Sequence, residues 1–206
     1  MSYSKENKKE QSNNQKMKIK IGLISQESSY INVNNIFNSY FKKSKPEPCE
    51  IKDQNRYNFS LLNLPKILIS IYHFKSFEEM NNNNKIYNFF LIFIDLHNSN
   101  TYSHIEKVID IIMGSDDNNF NKKCYIYGFF QNKENEKMSE EKITGLVESK
   151  GIEYYYNEIN INDIESFSKL IECTINDCNT IMIEKYLAQK HSELLTDTSN
   201  SKCIIN

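Results

Sequence analysis

The chain has 206 residues, of which 39% are hydrophobic and 25% are charged, and its formal net charge is −2. This composition fits one ordinary globular domain with tails, and the small net charge gives no reason to expect a nucleic-acid partner. Five cysteines without metal-ligand spacing argue against a disulfide framework and a zinc site.

The first part of the chain alternates strand-like and helix-like segments after a polar tail. Residues 1–16 have no apolar run and are predicted to be disordered. Apolar residues at helical spacing predict one helix, and a segment containing two prolines predicts a long loop. The predicted elements are a strand over Lys18–Ser25, a helix over Ser29–Phe41, a loop over Lys42–Arg56, and a hairpin formed by Tyr57–Leu62 and Lys66–Tyr72.

The second part continues the alternation with three more strand–helix units. The nearly unbroken apolar run of Asn88–Leu96 is typical of a strand buried on both faces of a parallel sheet. The helix that follows is predicted over Thr101–Met113, either with Ser103 and Glu106 as its capping box or with its start one turn earlier. The remaining predictions are a strand over Cys124–Phe130, a helix from Ser139 that ends at Gly151, a strand over Ile152–Tyr156, and a helix beginning near Asn162.

This alternation of strands and helices predicts an open α/β sheet with helices on both faces. We expect one domain over residues 17–189. The polar stretches outside it, residues 1–16 and 190–206, are expected to be flexible tails.

The element order over Lys18–Lys185 resembles that of the small GTPases of the Ras/Rab type. Ile94–Ile105 is similar to that family's fourth strand and third helix, where an Asp, an Asn, a Ser/Thr–aromatic pair and an aliphatic residue recur at these offsets. Gly128–Glu141 resembles the guanine-recognition strand with its Asn-Lys-x-Asp motif. The resemblance implies a Ras-like domain with a mostly parallel, six-stranded sheet.

The phosphate-loop motif GxxxxGK[ST] is only half retained. Gly22 and Ser29 match its first and last positions, but Glu27 replaces the second glycine and Ser28 replaces the lysine. A carboxylate about 4 Å from a phosphate is repelled by roughly 4 kcal/mol at an effective dielectric near 20. The resemblance therefore implies a severe loss of triphosphate affinity. Ser29 is the expected magnesium ligand only in a chain that still binds the nucleotide with its magnesium ion.

The other nucleotide motifs are similarly altered. The best register for Asp-x-x-Gly falls on Ser70–His73, and Phe74 occupies the position of the catalytic glutamine. Asn132 and Lys133 match the guanine motif, but Asn135 replaces the aspartate that accepts guanine's two N–H donors. No catalytic residue and no cofactor are therefore expected.

The last four residues, Cys203-Ile204-Ile205-Asn206, fit the C-a-a-X prenylation motif. They predict a lipid on Cys203, with a slight preference for farnesyl. One lipid chain seldom anchors a protein stably, and the preceding residues form no polybasic cluster. Membrane residence is therefore expected to be weak or to depend on a protein partner.

These observations favour a catalytically inactive, prenylated pseudo-GTPase that binds protein partners at the cytoplasmic face of a membrane. The altered switch segments, Lys42–Arg56 and Tyr72–Lys85, are the expected partner surfaces. One alternative is a divergent GTPase that binds GTP or GDP with magnesium through Ser29, Asn132 and Lys133. A third is a receiver-type phosphoprotein with Asp95 as phosphoacceptor.

Overall fold

The computed structural model describes residues 17–26, 32, 33, 35–37, 40, 56–61, 64–114, 122–131 and 137–200. It contains six strands, which are β1 (Met17–Ser25), β2 (Arg56–Leu61), β3 (Leu64–Phe74), β4 (Phe89–Asp95), β5 (Lys123–Phe130) and β6 (Glu153–Asn160). The helices with described bounds are α1 (Phe77–Asn83), a 3₁₀ turn (Asn84–Ile86), α2 (Thr101–Met113), α3 (Glu140–Ser149) and α4 (Ile164–Asn200). Residues 33, 35–37 and 40 are also helical.

The strands form one sheet in the order β2-β3-β1-β4-β5-β6. The pairs β1–β3, β1–β4, β4–β5 and β5–β6 are parallel, and β2 pairs antiparallel with β3. Leaving β2 aside, the parallel strands follow the doubly wound 2-1-3-4-5 order. The predicted α/β fold with a mostly parallel, six-stranded sheet is confirmed.

Each face of the sheet is covered by helices and has its own apolar core. On one face, Phe37 from the early helical segment and Phe167 from α4 pack against the strands. On the other face, Met80, Ile109 and Ile143 bring α1, α2 and α3 against the sheet. Every residue of β4 is buried, since this strand lies between both helical layers. The predicted placement of helices on both faces is also confirmed.

α2 has its predicted bounds but a different cap, the last helix begins later than predicted, and α3 ends as predicted. Asn100 is the N-cap of α2, and the Ser103 hydroxyl donates to the Asn100 carbonyl at 2.9 Å, so the predicted capping box of Ser103 and Glu106 is wrong. The last helix begins at Ile164, where Asp163 Oδ1 accepts the Ser166 N–H at 3.1 Å. Gly151 follows α3 with a φ of 69°, as its predicted role as a helix terminator requires.

The last strand and helix are longer than predicted. β6 continues to Asn160 instead of ending at Tyr156, because it pairs with β5 along its whole length. α4 continues to Asn200, so residues 190–200, which belong to the predicted flexible tail, are helical. Residues 1–16 and 201–206 lie outside the described part of the chain.

Candidate functional site

The carboxyl ends of β1 and β4 form the point of the sheet where ligands usually bind. In open α/β sheets, ligands lie in the crevice where the strand order reverses. β1 has β3 on one side and β4 on the other, so the reversal falls between β1 and β4. Gln26 directly follows β1 and Asp95 ends β4, which places both residues at this point.

The side chain of Gln26 lies at this reversal point. It is 5% exposed, and its Oε1 accepts the Asp95 N–H at 3.0 Å. The Thr101 hydroxyl also lies 2.9 Å from Oε1 and is hydrogen-bonded to the Asp95 carbonyl. The Gln26 N–H in turn donates to the Phe93 carbonyl at 2.8 Å. Gln26 therefore joins the end of β1 to the end of β4 and the start of α2.

The Asp95 carboxylate is directed into the turn that follows its own strand. Its Oδ1 accepts the His97 N–H at 2.9 Å, and the residue is 7% exposed. A carboxylate that accepts a backbone N–H two residues later stabilises a tight turn. This geometry favours a structural role for Asp95 over that of a phosphoacceptor.

Gly22, the predicted first glycine of a phosphate loop, lies inside β1. It pairs with Tyr72 of β3 and Phe90 of β4, and the strand continues for three more residues to Ser25. A Cβ at this position would lie 2.8 Å from Phe74 Cε2 and 3.0 Å from Phe90 Cδ1. The glycine therefore allows two aromatic rings to pack closely over β1. The same packing places Phe74, at the predicted glutamine position, in the core.

Ser25 and His73 join the carboxyl ends of β1 and β3. Ser25 Oγ lies 3.0 Å from His73 Nε2. Burial lowers the pKa of His73 below its usual value, although Glu79 acts in the opposite direction. Ser70–His73, the predicted register of the Asp-x-x-Gly loop motif, lies wholly within β3. The chain leaves the strand only after Phe74.

The segment Tyr72–Lys85, predicted to be an altered switch region, includes the end of β3, all of α1 and the start of the 3₁₀ turn. Its own side chains hold it in place. Glu79 accepts the Tyr72 hydroxyl through one carboxylate oxygen and the Lys75 N–H, at 2.7 Å, through the other. This contact raises the pKa of Tyr72 to about 12. Ser76 caps α1 by accepting the Glu79 N–H at 3.2 Å.

A cavity of about 630 Å³ lies beside this segment, and we call it the α1–α2 cavity. Its wall includes Lys75 and Phe77 at the start of α1, and His104 and Lys107 on α2. The Phe77 ring centroid is 5.1 Å from that of His104 and 4.4 Å from Lys107 Nζ. Burial and, secondarily, the Lys107 charge lower the pKa of His104 to about 4. His104 is therefore neutral at physiological pH.

Most of the predicted nucleotide-binding residues lie outside the described part of the chain. They are Ser28, Ser29, Asn132, Lys133 and Asn135, and the predicted lipidation site, Cys203, also lies outside it. Of the first predicted switch segment, Lys42–Arg56, only Arg56 is described, and it begins β2. These predictions therefore stay predictions.

Sequence reasoning did not find the residues that meet at this edge of the sheet. Gln26 stands at an unspecified position of the phosphate-loop register, and Thr101 belongs to the Ser/Thr–aromatic pair of the resemblance, so neither motif indicated that the two side chains meet. Lys75, His104 and Lys107 also gave no signal of a shared site, because they come from segments almost 30 residues apart. The positions of Lys75 after a strand and His104 near a helix start were the available clues.

Two further features are absent from the described part of the chain. Among these residues, no group of three or more His, Cys, Asp or Glu side chains is placed to hold a metal ion. No helix in the same part of the chain is long and apolar enough to cross a membrane.

In comparisons with known proteins, no protein-family model matches this sequence, and no curated protein matches it significantly.

Proposed function

We propose that the chain is a Ras-like pseudo-GTPase, a domain that binds protein partners without a nucleotide switch. The observation that carries this proposal is Gln26, whose side chain lies at the reversal point of the sheet and accepts the Asp95 N–H at 3.0 Å. A phosphate loop needs backbone N–H groups directed at the ligand, but the Gln26 N–H donates to Phe93.

The strand order also supports the Ras-like part of the proposal. The family that the sequence resembles has a first strand, an antiparallel hairpin, and three further strand–helix units. Here β2 and β3 form an antiparallel hairpin between β1 and the three units that begin at β4. Doubly wound sheets of other families share the parallel part of this order, so the hairpin is the more informative feature.

The order within Tyr72–Lys85 supports a partner surface that needs no γ-phosphate. In nucleotide switches, the γ-phosphate and its magnesium ion organise the switch segments. Here Glu79 performs that role through its contacts with the Tyr72 hydroxyl and the Lys75 N–H. A surface that is ordered in this way is available to a partner at all times.

The direction of α4 suggests how such a domain would be presented at a membrane. Phe167, near the start of α4, packs on Phe129 at the carboxyl end of β5, and Asp177 contacts Lys123 at the amino end of that strand. α4 then continues to Asn200, and residues 184–200 span about 25 Å at 1.5 Å per residue. A lipid on Cys203 would therefore attach on the side opposite the Gln26 edge, leaving that edge free for partners.

The first experiment uses mass spectrometry to identify any nucleotide carried by the freshly purified protein. The protein is then titrated with GTP in the presence of magnesium, and the heat of binding is measured by calorimetry. We expect no bound nucleotide and no heat of binding. Stoichiometric GDP or GTP, or magnesium-dependent binding lost in Ser29→Ala, would contradict the proposal and favour a divergent GTPase.

The lipid is tested separately in cells. Intact-mass analysis should find Cys203 prenylated, and Cys203→Ser should move the protein from the membrane fraction to the soluble fraction. An unmodified C-terminus in the native protein would contradict the lipid anchor without affecting the interaction-module proposal.

A further inference from the structure

The two edges of the sheet differ in how they are protected from pairing with another strand. β2 forms one edge, begins with Arg56, and has an irregular register with β3 between Phe59 and Leu61. β6 forms the other edge in the described part of the chain, and its eight residues pair with β5 without a register shift. Edge strands usually avoid a partner through prolines, bulges and charged residues, above all lysine. β6 contains no Pro, Lys or Arg, so two glutamates are its only such protection.

Both glutamates of β6 are paired with lysines of their own chain. Glu153 Oε1 lies 2.9 Å from Lys123 Nζ, and Glu158 forms an ion pair with Lys137. A paired carboxylate repels an approaching strand less than a lone one, because the neighbouring ammonium group offsets its charge. The charges on β6 therefore protect this edge only weakly.

The backbone of β6 presents hydrogen-bonding groups on its outer side. The Ile161 N–H, just beyond the strand, donates to the Phe130 carbonyl of β5 at 2.9 Å. Backbone N–H and C=O groups alternate between the two sides of a strand, so those of Tyr154, Tyr156 and Glu158 point away from β5. None of the described strands pairs with this side. Such a row of donors and acceptors is a template for an added strand.

An aromatic side chain beside this edge is only partly covered. Tyr155 is 47% exposed, and its ring centroid lies 6.4 Å from that of Tyr125 on β5. A cavity of about 290 Å³ lies between these rings and α4, where Leu170 and Cys173 form part of its wall. A strand added beside β6 would remove apolar surface of Tyr155 from water, which favours the pairing.

We propose that β6 pairs with β6 of a second copy of the chain in an antiparallel arrangement. A two-fold axis perpendicular to the sheet relates the two copies, and two-fold symmetry is the commonest symmetry of homodimers. Side chains that lie opposite each other in a sheet are on the same face, so one residue of β6 lies opposite itself on the axis. We place Asn157 on this axis.

The register centred on Asn157 is complementary in polarity and charge. It places Tyr155 opposite Ile159 of the second copy, and pairs of an aromatic and a β-branched residue stabilise sheets. Tyr156 lies opposite Glu158, whose carboxylate can accept its hydroxyl, and no two carboxylates are opposed. A register centred on Tyr156 would instead place Tyr155 opposite the polar Asn157.

This dimer goes beyond the proposed function, since it uses neither the Gln26 edge nor the predicted nucleotide residues. The two copies run in opposite directions, and so do their α4 helices. One membrane could therefore receive only one of the two proposed lipid anchors. For this reason the dimer is tested with unprenylated protein.

Sedimentation velocity of the unprenylated full chain, at concentrations up to about 200 µM, measures the association. We expect the weight-average mass to rise with concentration from 24.3 kDa toward twice that value. Tyr155→Lys should weaken the association at least about tenfold, because it places an ammonium group in the joint opposite Ile159. The matched control is Tyr102→Lys, which changes a similarly exposed tyrosine on α2 and should dimerise like the wild type. Circular dichroism verifies that each variant is folded.

A cysteine cross-link tests the register. Residues opposite each other in a pair without mutual hydrogen bonds have Cα atoms about 4.5 Å apart, which suits a disulfide. Asn157→Cys should therefore give a cross-linked dimer on a non-reducing gel under mild oxidation. Tyr155→Cys should not exceed the wild-type background, which the exposed Cys173 sets, because its two copies would lie about 13 Å apart.

A mass that stays at one copy up to about 200 µM would overturn the proposal. So would a dimer that Tyr155→Lys leaves unchanged, or one that Asn157→Cys does not cross-link, since either result would place the contact on another surface. These measurements involve no nucleotide and no lipid, so their failure is distinct from failure of the pseudo-GTPase proposal.

Discussion

Gln26 Oε1 accepts the backbone N–H of Asp95 at 3.0 Å, although 69 positions separate the two residues in the sequence. This contact joins the ends of β1 and β4 at the point where the strand order reverses. The same oxygen lies 2.9 Å from the Thr101 hydroxyl. One amide side chain therefore fixes the geometry of the edge at which a ligand would enter the sheet.

We expect Gln26→Leu to lower the free energy of unfolding by about 1–3 kcal/mol, because the Asp95 N–H loses its buried acceptor. Urea unfolding followed by circular dichroism measures the change. Gln131→Leu is the matched control, since Gln131 is exposed just after β5. Equal stabilities of the two variants would mean that the Gln26 contact contributes little.

Gly22→Ala should destabilise the protein by about 1–3 kcal/mol through overpacking. The added Cβ would lie 2.8 Å from Phe74 Cε2, within the aromatic layer over β1. Gly145→Ala provides the opposite control, because Gly145 is in α3 with nothing within 4 Å of its added Cβ. That change should stabilise the helix by roughly 0.5–1 kcal/mol. Thermal unfolding of both variants distinguishes a packing glycine from one retained for a phosphate.

His104 should make stability fall as the pH drops. Its pKa is about 4 in the folded protein against the ordinary value of 6.5, so below pH 6.5 the unfolded chain binds a proton that the folded chain does not. Stability is therefore lost progressively between pH 6.5 and about 4. In His104→Gln this part of the pH dependence should disappear, whereas it should persist in His191→Gln, a change at an exposed position of α4. Parallel pH profiles of wild type and His104→Gln would contradict the prediction.

The part of α4 that packs on the core and the part beyond residue 184 should respond differently to truncation of an apolar side chain. Ile175 is 1% exposed in the core, so Ile175→Ala should cost about 2–5 kcal/mol. Leu187 is 59% exposed, and Leu187→Ala should change the stability by less than about 0.5 kcal/mol. Hydrogen exchange should likewise be slow around Ile175 and fast beyond residue 184. A large effect of Leu187→Ala would indicate that the distal half of α4 is packed.

The alternation of apolar runs and helical periodicity was sufficient to predict the fold. The run Asn88–Leu96 predicted β4 to within one residue at each end, because a strand covered on both faces needs an apolar side chain at nearly every position. The hairpin was also predicted, since β-rich stretches separated by a short connection pair locally. The end of β6 was missed, because Asn157 and Glu158 are polar and their strand geometry depends on pairing with β5.

By itself, then, the sequence determined the order of the six strands along the chain and the α/β class, because these follow from local periodicity, but it did not predict α1. Only the tertiary structure decided that Gly22 lies within a strand, that Gln26 reaches Asp95, and that Lys75, His104 and Lys107 line one cavity. Those contacts depend on the register between strands and on how the helices pack over them. Such relationships between distant residues leave no periodic signal in the sequence.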